Sequence, residues 1–482
     1  MWHRLRTRRA VAVAALLVSL LGSEALSAQA PPSPSRPWPI PEGAGARALL
    51  EEKPEGVALN ERYDLPALID LAQRNNPDTR VAWEAAREAY ERIGLVKSTY
   101  LPQLSLDAIG GFARTPLPAP KNLVPKGYFV SESHELVPAL AIKWLLFDFG
   151  QRDAKLDAVR SNSFVANVSF TGAHQKLVFN VTQAYFQLGA AQGRLKAARQ
   201  ALDTALVSQD AATARRANGL ATVVAVAQAE RQSAQARYNV AQAEGVLTTA
   251  RATLVATLGV PADIALDIID SSEVPLPTAP AQSVSAAIHD ALVHRPDVIA
   301  ALGTIDAAEA SLNAERRSYY PVIEMGAHAF QNMGSVSSDG RPYSSVNKPG
   351  ANILFSFSVP LYDGGERASR VSVARSKVRQ AEARLSALRD EAANQVVKAY
   401  NDLITSLSAY EAAVAVSRAS HTSYDAALFS FKQGLGTYTD LAGEENAVAQ
   451  SAAQVEDAQS AAHRAAAALA FAMGSLQPGS SE

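Results

Sequence analysis

Hydrophobic and polar residues alternate along four segments of the chain, two in each half. The alternation covers residues at about 103–113, 136–147, 322–331 and 351–361. In the last segment, for example, Phe355 and Phe357 flank Ser356. A period of two predicts β-strands with one apolar and one polar face, and about ten residues is the length that a tilted strand needs to cross a bilayer. The Pro-, Gly- and Ser-rich stretches between the paired strands, at 115–127 and 332–350, are predicted to be exposed loops.

A helical pattern replaces the alternation after each strand pair. Residues 151–216 and 366–432 contain no proline and are rich in alanine, and a helix of that length spans roughly 100 Å. A short glycine-containing turn and a second long helix follow, which predicts helical hairpins at about 151–258 and 366–473. Because such helices far exceed the length usual in globular proteins, they must pack side by side as in a coiled coil.

The whole arrangement occurs twice, which predicts two structural repeats, at 61–278 and 279–475, and a disordered tail at 476–482. Each repeat opens with a helix that a proline interrupts, at Pro77 and at Pro296. The ends of the strand pairs correspond closely: Leu146-Phe147-Asp148 matches Leu361-Tyr362-Asp363, and Gly150 matches Gly365. A repeat of this length indicates two copies of one large unit. Asp148 and Asp363, with Gly150 and Gly365, lie where a strand passes into a helix and are predicted to cap the helices.

The N-terminal residues have the layout of a secretory signal peptide. Arginines between positions 4 and 9 precede an apolar run at 10–21 and then small residues. This layout predicts a cleaved signal over 1–30 and export from the cytoplasm. The proline-rich stretch at 31–60 is predicted to be an extended linker. No other segment has about 18 consecutive apolar residues, so a membrane crossing by this chain would require a β-barrel.

The composition excludes several functions. The chain has no cysteine, which excludes thiol catalysis, disulfide bonds, cysteine-bound zinc and an acylated N-terminal cysteine. Its 45 basic and 47 acidic residues nearly cancel, so there is no basic footprint for nucleic acid. The sequence has no phosphate-binding loop, catalytic triad or metal-ligand spacing, and it therefore predicts no catalytic site, cofactor or metal.

Four strands are too few to close a barrel, because the smallest closed barrels have about eight. An open sheet with an apolar face would leave its edge backbone groups unsatisfied in lipid. We therefore expect several copies of the chain to join their strands, with polar faces around a wet lumen and the long, polar helices forming a second, water-soluble barrel. The residues expected to face the lumen are Asp107, Lys143, Glu324 and His328.

Three features recur in register and carry a family resemblance: the strand-to-helix junctions at 146–150 and 361–365, the Ala-Tyr pairs at 184–185 and 399–400, and the hairpin tip at 434–441. On these features the chain, over about residues 60–475, resembles the TolC-like outer-membrane efflux and secretion channels. The resemblance implies a mixed α and β membrane protein of Gram-negative bacteria. It would be a homotrimer whose twelve strands, four per chain, form a transmembrane barrel in outer-membrane lipid, continued by a periplasmic α-helical coiled-coil barrel.

The resemblance also implies a passive exit duct of a tripartite efflux or type I secretion system. A periplasmic adaptor (membrane fusion protein) and an inner-membrane pump of RND or ABC type would open such a duct at its helical tips. One alternative function shares the long hairpins: a periplasmic coiled-coil adaptor or scaffold without a pore, which needs no strand pairs of bilayer length. A secreted enzyme on a helical scaffold is disfavoured, since no acid, base or nucleophile stands out.

The hairpin tips contain the candidate docking and gating residues. The turn and docking residues are Gly219, Leu220, Thr222, Gly434, Leu435, Gly436 and Thr437, and the glycines are expected to adopt positive φ. Asp440 and Tyr438 are candidates for the periplasmic gate, Asp440 in an acidic ring of three copies and Tyr438 as part of a plug. The alternatives stay open, because Thr437 and Asp440 also have the spacing of a helix capping box and Tyr438 could equally pack between helices. Family members often carry a second acidic residue where this chain has Gly443, so the acidic ring itself is an open question.

Overall fold

The computed structural model describes residues 62–261, 264, 266–269 and 274–476. The predicted signal peptide at 1–30, the linker at 31–60 and residues 477–482 of the predicted tail lie outside these residues. In the part of the chain that is described, every helix falls short of the apolar length that crossing a membrane requires.

The helices, in chain order, are α1 (Leu65–Asn75), α2 (Pro77–Ser98), α3 (Gln151–Ala217), α4 (Val223–Leu258), α5 (Val284–His294), α6 (Pro296–Arg317), α7 (Glu366–Lys432) and α8 (Tyr438–Ala472). Capping residues begin the first helix of each repeat. Asp64 accepts a hydrogen bond from the Ala67 N–H at 2.9 Å, and Ser283 accepts one from the Ala286 N–H at 3.3 Å. A proline then starts the second helix of each repeat. The N–H groups of the first turn have no intrahelical acceptor, so a proline there costs no hydrogen bond.

The strands of both halves form one four-stranded antiparallel sheet. β2 (Gln103–Pro118) pairs with β3 (Tyr128–Phe147), β3 pairs with β5 (Val322–Ser338), and β5 pairs with β6 (Ser344–Ser358). β2 and β6 are therefore edge strands, and within the described residues no further strand pairs with their outer sides. A separate parallel ladder joins β1 (Arg62–Tyr63) to β4 (Asp267–Ile268).

The strands extend further from the helices than the alternation predicted. The loop predicted at 115–127 is shortened to 119–127, and the loop predicted at 332–350 is shortened to 339–343, so these two predictions were wrong in extent. The Ser- and Gly-rich strand ends pair with one another, because backbone hydrogen bonds form whatever the side chain. β6 ends before the predicted limit at 361, since Pro360 has no N–H for the ladder.

Prolines in the sheet lie where their missing N–H is tolerated. The N–H of Ala119 donates to the carbonyl of Gly127 at 3.0 Å, in continuation of the β2–β3 register. Even-numbered residues of β2 therefore direct their N–H towards the free edge, and Pro116 and Pro118 remove no bond within the sheet. By the same alternation Pro138 of β3 faces β5, and the ladder between those strands is interrupted at residues 137–138.

The long hairpins pack against each other and against the shorter helices. α3 packs against α1, α2, α4, α6 and α8, and α7 packs against α5, α6 and α8. The two repeats have equivalent cores around an Ala-Tyr pair. The Tyr185 hydroxyl donates to the carbonyl of Ile269, and the Tyr400 hydroxyl donates to the carbonyl of Gln282, both at 3.2 Å. Each tyrosine thus ties a long helix to the segment between α4 and α5.

Candidate functional site: sheet faces, junctions and hairpin tips

The register places the four residues predicted to face a lumen on one face of the sheet. Residues opposite each other on neighbouring strands share a face, and so does every second residue along a strand. Asp107 lies opposite Ala139, which shares its face with Lys143. Lys143 lies opposite Gly326, and Glu324 and His328 are two residues on either side of that glycine. All four polar side chains therefore project from the same face.

The other face of the sheet is apolar in the half nearest the helices. Phe355 lies opposite Met325, and Met325 lies opposite Trp144. The members of this apolar band are Leu104, Leu106, Leu140, Ile142, Trp144, Ile323, Met325, Ile353, Phe355 and Phe357. Phe355 is 68% exposed in the single chain. An exposed apolar surface of this extent is a surface for lipid or for another protein.

At each strand-to-helix junction an aspartate satisfies the first turn of the long helix. The Asp148 carboxylate accepts a hydrogen bond from the Arg152 N–H at 2.8 Å, and the Asp363 carboxylate accepts one from the Arg367 N–H at 3.0 Å. Hydrogen bonds from the backbone of Arg367 hold the pKa of Asp363 below its usual value. Gly150 and Gly365 occupy the N-cap positions with φ of 83° and 90°, in the left-handed region that favours glycine.

Arg152 and Arg367 occupy equivalent positions, two residues after Gly150 and Gly365, and had no predicted role. The buried guanidinium of Arg152 forms an ion pair with Asp148 at 3.2 Å. It also donates to the carbonyls of Thr99 at 2.9 Å and Leu145 at 2.7 Å. Arg367 forms the matching ion pair with Asp363 at 3.2 Å. These side chains join the end of a strand to the beginning of a long helix.

The two hairpin tips turn by the same local chemistry. Gly219 and Gly434 have φ of 72° and 75°, and threonines cap the returning helices. The prediction of positive φ is wrong for Gly436. This glycine instead lets the backbone pass close to Ser430, and its N–H donates a hydrogen bond to the Ser430 carbonyl at 3.1 Å. A Cβ at Gly436 would lie 3.3 Å from the Ser430 Cβ. Leu435 is 83% exposed beside this turn.

Asp440 forms the capping box that its spacing allows. Its carboxylate accepts hydrogen bonds from the Thr437 N–H at 3.1 Å and the Thr437 hydroxyl at 2.7 Å, and its own N–H donates to the Thr437 hydroxyl. These bonds from Thr437 lower the pKa of Asp440. The residue is otherwise exposed to solvent, so the carboxylate caps α8 and remains accessible to water.

Tyr438 lies inside the packing of the hairpins. It is only 4% exposed and contacts Phe431, Ala212 and Ala229. Burial, followed by the nearby Glu445 carboxyl, raises the pKa of Tyr438 to about 12. The tyrosine therefore occupies the position between helices that the sequence allowed as the alternative to a plug.

A buried carboxyl group near the tip, that of Glu445, had no predicted role. Glu445 is 7% exposed and accepts a hydrogen bond from the Ser208 hydroxyl. Burial raises the pKa of its carboxyl group. One signal was available: Glu445 follows Tyr438 by two helical turns and so shares its face of α8.

Comparison with known proteins identifies the family. The sequence profile of the family described as "Outer membrane efflux protein" matches residues 68–260 and 287–475, one segment in each repeat. Together these segments cover most of the chain. The chain belongs to the outer membrane efflux protein family. Its location is the outer membrane of a Gram-negative bacterium, and the resemblance to TolC-like channels is confirmed.

Individual relatives of this outer membrane efflux protein are distant. Protein CyaE of Bordetella pertussis is 27% identical over 394 residues, which cover 81% of this chain and 76% of the relative. Cation efflux system protein CusC of Escherichia coli strain K12 is 24% identical over 317 residues, which cover 65% of each chain and thus just under two thirds of the relative. The open state of the Neisseria gonorrhoeae MtrE outer membrane channel has a TM-score of 0.70 at 21% identity and covers 86% of this chain and 90% of that chain. This last likeness shows a shared fold.

The fold of the family is a mixed α and β channel fold, largely helical, and the family consists of channels.

Within the described ranges, His, Asp and Glu side chains nowhere form a group of three that could hold a metal ion.

Proposed function

We propose that this outer membrane efflux protein is a homotrimeric, passive exit duct. Three four-stranded sheets would close into a twelve-stranded transmembrane barrel, and the hairpins would continue it as a helical barrel in the periplasm. The observation that carries the proposal is the pair of open edges, β2 and β6, on a sheet with one apolar band. Lipid cannot satisfy such edges, and only closure removes them.

The topology supports closure with neighbouring copies. Strand direction alternates across the order β2-β3-β5-β6, so β6 of one subunit would lie antiparallel to β2 of the next. Every junction in the ring then has the same antiparallel geometry, and three copies exceed the minimum of about eight strands. The apolar band would face lipid, and Asp107, Lys143, Glu324 and His328 would line a wet lumen.

The internal duplication supports a specific packing between subunits. Within the chain, α6 of the second repeat packs on α3 of the first. The equivalent pair is α2 of the first repeat and α7 of the second, which would meet between neighbouring subunits of a ring. α2 exposes Val81, Tyr90 and Leu95. α7 exposes Val373 and Ile404, so both helices offer apolar surface for this contact.

The hairpin tips would be the site of partner docking and gating. Leu220 and Leu435 are exposed at the two tips and offer apolar anchors to a protein partner. A periplasmic adaptor can open the duct only by binding the open tips better than the closed ones. The energy for export would come from an inner-membrane pump of RND or ABC type, and Asp440 is proposed to contribute an acidic ring at the aperture.

Two measurements test the proposal. The purified protein should be a trimer from the outer-membrane fraction and should conduct ions in planar lipid bilayers. A soluble periplasmic monomer without conductance would contradict the duct and favour the adaptor-like alternative.

An edge variant tests the closure directly. Ala108 is an even-numbered residue of β2, so its N–H points towards the free edge. Ala108→Pro should reduce the yield of trimer because it removes an intersubunit donor, whereas Ala108→Thr, which keeps the N–H, should not. Equal trimer yields for the two variants would contradict edge pairing at this position.

A further inference from the structure

Glu445 occupies an unusual position for a carboxyl group, in the interface between the two long hairpins. Its Oε1 accepts a hydrogen bond from the Ser208 hydroxyl of α3. Its Oε2 is inaccessible to solvent and has no hydrogen-bond partner among the described residues. A buried carboxylate with a single hydrogen bond is costly, so the protonated form suits this site.

Within the described part of the chain, Glu445 forms no ion pair with a basic side chain. It borders a cavity of about 270 Å³ between α3, α4, α7 and α8. The titratable groups on that cavity are Lys196 of α3, His421 and Tyr424 of α7, and Glu456 of α8. α4 contributes the uncharged Gln232, Gln235 and Asn239. The charge of Arg231 on α4 acts on Tyr438, and the pKa of Glu445 is governed by burial, which raises it, against the Ser208 hydrogen bond, which lowers it.

The contacts around Glu445 join the first hairpin to the second. Gln232 of α4 donates to the Asn446 side-chain oxygen at 2.6 Å, and Arg215 of α3 donates to the Phe431 carbonyl at 2.9 Å. None of the groups in these two contacts changes its charge near neutral pH. Separation of the hairpins would break them and would also bring Glu445 into water, where its carboxylate is stable.

We infer that Glu445 is a proton-dependent latch between the two hairpins, closed when the carboxyl group is protonated and loosened when it ionises. The effect of the latch on the duct rests on the proposed function, in which the duct opens at the hairpin tips. The latch itself is a property of one chain and can be tested without a pore.

The direction of the pH dependence follows from the raised pKa. The packed state binds the proton more tightly than the separated state does. The stabilisation is therefore fully present below the ordinary carboxyl pKa of 4.5 and is lost as the pH rises through the raised value. Alkaline conditions should favour hairpin separation.

Hydrogen exchange of the full-length protein tests the latch. Peptides that cover residues 438–446 should exchange at equal rates in the wild type and in Glu445→Gln at low pH. As the pH rises, the wild type should exchange faster than Glu445→Gln at the same pH, by about tenfold for each unit by which the pKa is raised. Comparison at equal pH cancels the intrinsic pH dependence of exchange.

Two further variants keep the test decisive. Glu444→Gln changes the neighbouring carboxyl, which is not fully buried, and should follow the wild type at every pH. Ser208→Ala removes the hydrogen bond that favours the ionised form, so the transition should move to higher pH. If Glu445→Gln does not fold, the direction in which Ser208→Ala moves the pH of the transition decides whether Glu445 is the latch.

A ratio of wild-type to Glu445→Gln exchange that stays near one at all pH values, or a Ser208→Ala transition that does not move upwards, would overturn the latch. Absence of a trimer or of conductance, with the pH-dependent exchange intact, would instead contradict the proposed function and leave the latch standing.

Discussion

The guanidinium of Arg152 lies over the aromatic ring of Tyr100, with 4.6 Å between the guanidinium carbon and the ring centroid. Tyr100 precedes β2, and Arg152 belongs to the first turn of α3, so this contact links the start of one strand to the start of a long helix. Arg367 lies in the same way over Tyr319, at 5.6 Å. The duplicated contact fixes the position of the sheet on the helices in both repeats.

Removal of the Arg152 guanidinium should destabilise the protein strongly. Arg152→Met leaves the buried Asp148 without its ion pair and the carbonyls of Thr99 and Leu145 without their donor. Loss of one partner of a buried pair costs about 3 kcal/mol or more. Denaturant unfolding of the purified protein, followed by helical circular dichroism, measures the loss.

The control is Arg160→Met on the same helix. Arg160 pairs with Asp157 at 3.3 Å, but both side chains are more than half exposed, so the free energy of unfolding should change little. Equal effects of the two substitutions would show that burial of the junction does not matter.

Gly259 should not tolerate a side chain. It ends α4 with φ of 72°, and a Cβ there would lie 2.7 Å from the backbone of Asn75 and Asn76. Gly259→Ala should therefore lower the free energy of unfolding by more than about 1 kcal/mol. Gly245→Ala, in the open middle of the same helix, should raise it by about 0.5–1 kcal/mol because alanine favours the helix. Melting temperatures of the two variants check the opposite signs, and a stabilising Gly259→Ala would refute the close approach.

The two faces of the sheet should respond oppositely to a charge. Phe355 belongs to the apolar band and its neighbour Ser356 to the polar face. Phe355→Arg should cost about 2–4 kcal/mol if this face meets the centre of the bilayer, while Ser356→Arg should be tolerated. The amount of assembled protein in the outer-membrane fraction measures both, and the reverse order would invert the proposed orientation.

The capping box of α8 should give the tip a pH dependence at the acidic end. The folded-state pKa of Asp440 is lowered, so its stabilisation is present above the ordinary value of 3.8 and is lost as the pH falls through the lowered value. The ratio of the exchange rate at the N-terminus of α8 in the wild type to that in Asp440→Asn, both at the same pH, should therefore rise as the pH falls through this range. A ratio that stays constant would assign the acid response to another group.

Conductance separates the capping role of Asp440 from a pore role. If three copies surround the aperture, Asp440→Asn should also reduce the preference of the channel for cations, because the ring loses its charge. Asp210→Asn, an exposed carboxylate on α3 outside the cap, is the control. Unchanged ion selectivity in Asp440→Asn would show that the Asp440 carboxylate caps α8 and has no role in the pore.

Local patterns were sufficient for the order of elements. The alternation of Leu104 and Leu106 with polar residues indicates a strand wherever the segment is placed, and the structure has one from Gln103. Proline-free, alanine-rich sequence after Gly150 and Gly365 indicates long helices for the same reason. The far ends of the strands escaped prediction, since polar residues such as Ser131 and Ser335 pair through the backbone without an apolar signal.

Contacts between residues distant in the chain could not be predicted. Ser208 and Glu445 are 237 positions apart, and no pattern near either residue indicates the other. Arg152 recurs as Arg367, yet its contacts with Thr99 and Tyr100 became visible only in the folded chain. The difference between Gly434 and Gly436 is likewise a matter of backbone geometry, because glycine is compatible with either conformation.

The amino-acid sequence by itself determined the duplication, the alternation of strand pairs with long hairpins, and the division of each strand into a polar and an apolar face. These follow from periodicity, which depends only on neighbouring residues. The tertiary structure alone decided that Tyr438 and Glu445 are buried between hairpins. Burial depends on which helix faces meet, and that is set by packing across the whole chain.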